Sequence, residues 1–80
     1  MTRDQMFEAV AAQVRKIASD ESLELTEATV FEEIPEWDSL NNVDLEMALE
    51  TEFKIDFEVG EFEEVKDVAS MLTLLETKVG

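Results

Sequence analysis

Apolar residues recur at spacings of three and four in separate stretches of this 80-residue chain, and that helical period most limits what it can fold into. In the first stretch Phe7, Val10, Val14 and Ile17 share a face, with Ala11 and Ala18 beside them and charge on the far side. Thr2-Arg3-Asp4-Gln5 fits the S/T-x-x-E/Q capping box, and Ser19-Asp20-Glu21-Ser22 breaks the apolar rhythm. A first helix is therefore expected over residues 3 to 18. No alternation of apolar and polar residues is strong enough to count as a strand signal against these helical periods.

A second helix is expected from Asp38-Ser39 to about Phe53, with Asp38 as its N-cap and Asn41-Asn42 in its first turn. It carries two apolar stripes. Leu45, Ala48, Leu49 and Phe53 form one, and Leu40, Val43 and Met47 form another, rotated away from the first. A small domain turns one such stripe into its core, so the second is expected at the surface. Asp67 reads as the N-cap of a last helix whose face is Val68, Leu72 and Leu75, flanked by Ala69 and Met71. That helix should end near Lys78, which suits the negative end of the helix dipole, with Gly80 beyond. Residues 54–64 hold Ile55, Phe57, Val59 and Phe62, and Gly60 limits them to a short helical turn. Phe7, Phe53, Phe57 and Phe62 are read as core.

Residues 19–38 are rich in turn formers and acids but are punctuated by Leu23, Leu25, Val30, Phe31, Ile34 and Trp37. A connection with so many apolar anchors packs down as an ordered loop. Pro35, the only proline, biases Ile34 toward an extended backbone and stops any helix from running into the next. The pattern predicts an all-α fold in one domain over residues 1–80: a small four-helix bundle with three main helices, one short helix, and a long ordered loop between the first two.

Charge and missing residue types narrow the chemistry. The chain has 21 acidic and 6 basic residues, a net charge of -15, yet 45% apolar residues, enough for a folded core. Lacking His and Cys, it offers no Ser-His or Cys-His pair, no imidazole or thiolate metal site and no disulfide. Its two glycines, Gly60 and Gly80, make no phosphate-cradling loop, and no acidic segment has the ligand spacing of a calcium loop. The chain is read as non-enzymatic and without metal. Such a surface repels nucleic acid and anionic lipid and favours partners with basic patches. No apolar run approaches the roughly 18 residues of a membrane span, and Met1-Thr2-Arg3-Asp4 is no signal sequence, so a cytoplasmic monomer is expected.

The run DSLNNVDLEMALETEFKIDF, from Asp38 to Phe57, resembles the signature of the acyl carrier protein family: Asp-Ser-Leu opening a helix that is apolar and acidic and ends in Phe. The likeness continues without gaps to Leu75, and the capped first helix and long loop match the family's layout. The resemblance implies that Ser39 is esterified with 4′-phosphopantetheine by a phosphopantetheinyl transferase, with Asp38 and Leu40 as recognition neighbours. Cargo would ride as a thioester on the prosthetic thiol, for enzymes of fatty acid, polyketide or related secondary metabolite biosynthesis. Many fatty-acid carriers place Gly just before the motif. Trp37 here is more similar to discrete carriers of secondary metabolism or carrier domains of assembly lines. Trp37 also suits an anchor for the loop, and Thr51 stands where the family often has an acid.

The physics of the position agrees. With Asp38 as cap, Ser39 falls at the first helical position, so its hydroxyl need not cap the backbone and can face solvent. A phosphate there meets the positive end of the helix dipole, a favourable effect of about 0.3–1 kcal/mol. From Glu36 to Glu64 there are eleven acids and one base, Lys54, a local charge of -10. The stripe of Leu40, Val43 and Met47, rimmed by Asp44, Glu46 and Glu50, suits brief docking of acyl-processing or acyl-loading enzymes. Two other readings stand beside this one. An aminoacyl or peptidyl carrier would serve an adenylating enzyme, and an unmodified acidic adaptor would bind a basic protein surface.

Overall fold

The computed structural model describes residues 1–79, so the expected helix stop at Gly80 lies outside the described residues. Three α-helices form: α1 (Arg3–Ala18), α2 (Ser39–Phe53) and α3 (Val68–Val79). Each starts where a short polar side chain takes up an amide that has no helical acceptor. At α1 the Gln5 N–H donates to Thr2 Oγ1 (3.1 Å) and the Thr2 N–H to Gln5 Oε1 (2.8 Å), closing the predicted capping box. At α2, Asp38 and Asn41 make the same reciprocal pair, at 3.0 and 2.9 Å. At α3 the Ser70 N–H donates to Asp67 Oδ1 (2.8 Å). Two of the helices also end alike: Ser19 (φ 55°) and Lys54 (φ 56°) turn left-handed. That turn lets the Asp20 N–H reach the Arg15 carbonyl (3.0 Å) and the Ile55 N–H reach the Glu50 carbonyl (3.1 Å).

The short fourth helix is a single 3-10 turn, Phe62–Glu64, and a second such turn, Phe31–Glu33, lies in the long loop, where none was predicted. Neither can lengthen. Gly60 (φ 83°) turns the chain just before the one, and both run into extended residues, Val65 and Ile34. The extended backbone of Ile34, before Pro35, is the one the sequence predicts. Among the described residues no strand forms, only an isolated antiparallel bridge between Val30 and Asp67.

The buried side chains form one cluster. It takes Met6, Val10, Ala11 and Val14 from α1, Leu45 and Leu49 from α2, and Val68, Met71, Leu72 and Leu75 from α3. Leu25, Phe31, Ile34 and Phe62 close it from the connections. Two expectations need correction. On α1 the buried face is rotated, so that Met6 is inside while Phe7 and Ile17 pack half-buried at the margin. Of the four phenylalanines read as core, only Phe62 is fully inside, while Phe7, Phe53 and Phe57 cover its edges. Phe57 meets Phe62 edge-on (5.1 Å between centroids, 70°), and the Lys78 ammonium sits 5.7 Å from its ring centre. Lys78 also pairs with Glu61 at 2.7 Å, tying the end of α3 to the 3-10 turn.

The long loop is stitched to α3 by backbone bonds. The Val68 N–H donates to the Thr29 carbonyl (3.0 Å), the Ala69 N–H to Glu27 (2.9 Å), and the Phe31 N–H to Lys66 (3.0 Å). Arg3 reinforces the seam with its guanidinium on Glu27 (2.8 Å) and Glu76. The radius of gyration, 11.5 Å, matches the roughly 11.6 Å of a folded chain this long, so the loop adds no protrusion. No helix among the described residues is long and apolar enough to cross a membrane.

Leu49 is wholly enclosed, so Leu49→Ala leaves a void in the core. The expected loss is about 2–5 kcal/mol, read as a lower midpoint in urea denaturation.

Candidate functional site

The loop delivers the chain to α2 through a tight bend. Glu36 adopts φ 62°, a left-handed conformation unusual for glutamate, and the Trp37 N–H donates back to the Ile34 carbonyl at 3.0 Å. Trp37 stacks on the buried Phe31 (6.0 Å, 26°) and makes a long hydrogen bond from Nε1 to Asn42 Oδ1 (3.4 Å). It therefore anchors the loop to both the core and α2.

Ser39 follows as the first residue of α2 and is exposed. Asp38 supplies the cap, so the Ser39 hydroxyl is released from that task and has no hydrogen-bond partner among the described residues. Nor do the Ser39 and Leu40 amides have a protein acceptor among the described residues, whereas the first two amides of α3 are held by loop carbonyls. The first two amides of α1 are similarly open, but there Arg3 is committed to Glu27 and Glu76. Two surface grooves meet at Ser39. One, of about 380 Å³, runs toward Trp37, Val65 and Lys66, and the other, of about 350 Å³, toward Val43, Val59 and Phe62.

The second stripe of α2 is outside, as its rotation from the first predicts: Leu40 is 73% exposed, Met47 60% and Val43 49%. Asp44 is exposed beside it. Glu50 behaves differently, because its Oε2 accepts the Phe57 N–H at 2.9 Å and so holds the turn after α2. Val59 adds to the apolar surface across the groove from Val43, and nothing in its acidic neighbourhood marks it in the sequence. Lys66 and Val65 are brought to Ser39 only by tertiary packing, and no motif points to them.

Burial, with help from the charges of Glu50 and Glu63, pushes the Glu46 carboxyl above the usual glutamate range. Hydrogen bonds from the Ser70 hydroxyl and amide hold Asp67 below the usual aspartate range. The two have opposite consequences. Asp67 stabilises the fold above the ordinary aspartate value, and that contribution is lost as pH falls through its lowered folded value. Glu46 in its charged form costs stability at neutral pH, and acidification through its raised value relieves the cost. Glu46→Gln should thus melt higher than the parent at pH 7, with the difference shrinking as the buffer is acidified. Asp44→Lys should leave the melting temperature nearly unchanged, while Glu50→Lys should lower it by several degrees, since the Phe57 amide loses its charged acceptor.

Comparison with known proteins fits these observations. No protein-family model matches the chain. A protein described as an acyl carrier protein, from Petrotoga mobilis, is 37% identical over 79 residues, spanning 99% of this chain and 93% of its own. A solution structure of a holo acyl carrier protein from Geobacter metallireducens has the same fold, with a TM-score of 0.81 and 33% identity over 91% of this chain and 84% of that one. At 37% identity over nearly the whole of both sequences, and with the fold shared by a solved relative, the chain belongs to the acyl carrier protein family, whose members are carriers and not enzymes.

Proposed function

We propose that this chain, as one carrier domain, holds acyl intermediates as thioesters on a 4′-phosphopantetheine arm esterified to Ser39. The observation that supports the reading most is the exposed Ser39 hydroxyl at the first position of a helix that Asp38 has already capped. The solved relative is described as a holo protein, and the proposal extends that state to this chain.

The residues around Ser39 fit the group. A phosphodiester on Ser39 Oγ would lie beside two amides without a protein acceptor, at the positive end of α2. The arm supplies a terminal thiol, which the chain itself lacks. Everything else falls to the chain's own side chains. Asp38 and Asn41 keep the first turn of α2 rigid, so Ser39 is presented in one orientation to a phosphopantetheinyl transferase. Leu40, Val43 and Met47 offer a small apolar centre, and Asp44 with its acidic neighbours attracts basic surfaces of acyl-loading and acyl-processing enzymes. Charge of this kind raises the rate of encounter, and the narrow strip keeps affinity low enough for release. The aminoacyl or peptidyl alternative draws on Trp37 before the motif, and the mass of material loaded by an adenylating or an acyltransferring enzyme separates the two.

Incubation with coenzyme A and a promiscuous phosphopantetheinyl transferase should add one arm to the intact mass, and Ser39→Ala should gain nothing. An unchanged wild-type mass with several transferases would overturn the assignment. A mass gain that survives Ser39→Ala would place the arm elsewhere.

A further inference from the structure

The two grooves that meet at Ser39 are not equivalent, and their difference bears on where an arm attached there would rest. The larger one is walled by Phe31 and Trp37 on the loop side and by Val65 and Lys66 on the other, with Asp38 and Ser39 at its mouth. Its volume of about 380 Å³ lies within the roughly 300–1,000 Å³ of small-molecule sites. Its walls are joined by the Phe31 N–H bond to the Lys66 carbonyl (3.0 Å) and the Val30–Asp67 bridge, so the groove exists before any ligand arrives. Trp37 and Val65 are only half-buried and present apolar surface to it.

We propose that the phosphopantetheine arm on Ser39 lies along this groove, with its apolar dimethyl segment on Trp37 and Val65 and its phosphodiester facing the Lys66 ammonium. The inference rests on the carrier reading of Ser39. The chemistry of the two grooves makes the choice. The arm joins a monoanionic phosphodiester to an apolar carbon flanked by amides. Lys66 is exposed, makes no ion pair among the described residues, and is the only cation lining either groove. Glu32 and Glu63, also on the first groove, can accept amide N–H groups farther along. The second groove holds Glu46 and Glu63 and no cation. Glu46 is already held above the usual glutamate range, first by burial and then by the charges of Glu50 and Glu63. A phosphodiester entering there would meet Glu46 and the shared Glu63 with no cation to offset them, whereas in the first groove Lys66 stands against Asp38, Glu32 and Glu63.

Trp37 is the chain's single tryptophan, so its fluorescence reports on the first groove alone. The protein is to be converted from the unmodified to the arm-bearing form, with the change verified by intact mass. Quenching by acrylamide is then compared for both forms of the parent and of Lys66→Gln. The expected result is a loss of quenching in the arm-bearing parent that Lys66→Gln largely restores, with the two unmodified proteins quenched alike. In NMR spectra of the arm-bearing parent, the dimethyl protons should show cross-relaxation to the Trp37 indole and Val65. A verified mass gain with unchanged quenching, or with cross-relaxation to Val43 and Val59 instead, overturns the groove assignment and leaves the carrier reading standing. Failure of any transferase to add the arm overturns both.

Discussion

Val68 and Ala69 open α3 with amides that no carbonyl of their own helix can reach, and the Thr29 and Glu27 carbonyls of the distant loop take them. A twenty-residue connection with a single 3-10 turn as its regular structure would otherwise be free to move. Here its backbone satisfies a helix end, and the exchange holds both partners: the loop gains fixed donors and α3 gains a start. Leu25, Phe31 and Ile34 can then be driven into the core without leaving polar backbone stranded. The same seam sets Phe31 and Trp37 beside Lys66 and brings the chain into α2 at the angle that exposes Ser39.

Charge is distributed in keeping with this frame. No charged residue is buried among the described residues. Of the six bases, Arg3 clasps the loop and α3, Arg15 donates to the Leu23 carbonyl (2.8 Å), and Lys78 braces the 3-10 turn before α3. These cations serve as internal staples away from α2. The acids along α2 are thereby left unneutralised, and their field extends into solvent around Ser39, falling off over about 8–10 Å at physiological salt. A carrier that must be found quickly and released quickly is served by a field of that reach over a strip of only three apolar side chains.

Much of this was legible because helix signals are local. The capping box at Thr2, the N-cap at Asp38, the stop at Ser19 and the two stripes of α2 involve residues within a few positions of one another, and the structure keeps them. Phe7 and Met6 show where local reading fails. Both lie near the apolar arc of α1, and which one enters the core depends on how α1 is rotated against its neighbours. Glu50 is a sharper case. Among the many acids of the α2 region it is indistinguishable in sequence, and only the fold of residues 54–57 gives it a backbone amide to hold.

The linear order of residues determined the three helices, their caps, the exposed stripe of α2 and the placement of Ser39 at a helix start, because each follows from spacing and capping chemistry within a turn or two. Only the tertiary structure decided that α3 takes its first acceptors from the loop and that Lys66 and Val65 face Trp37 across a groove beside Ser39. These partners are some thirty to forty positions apart along the chain. What brings them together is that buried apolar faces must meet while the amides that open α3 find acceptors, and both needs are served only in the folded whole.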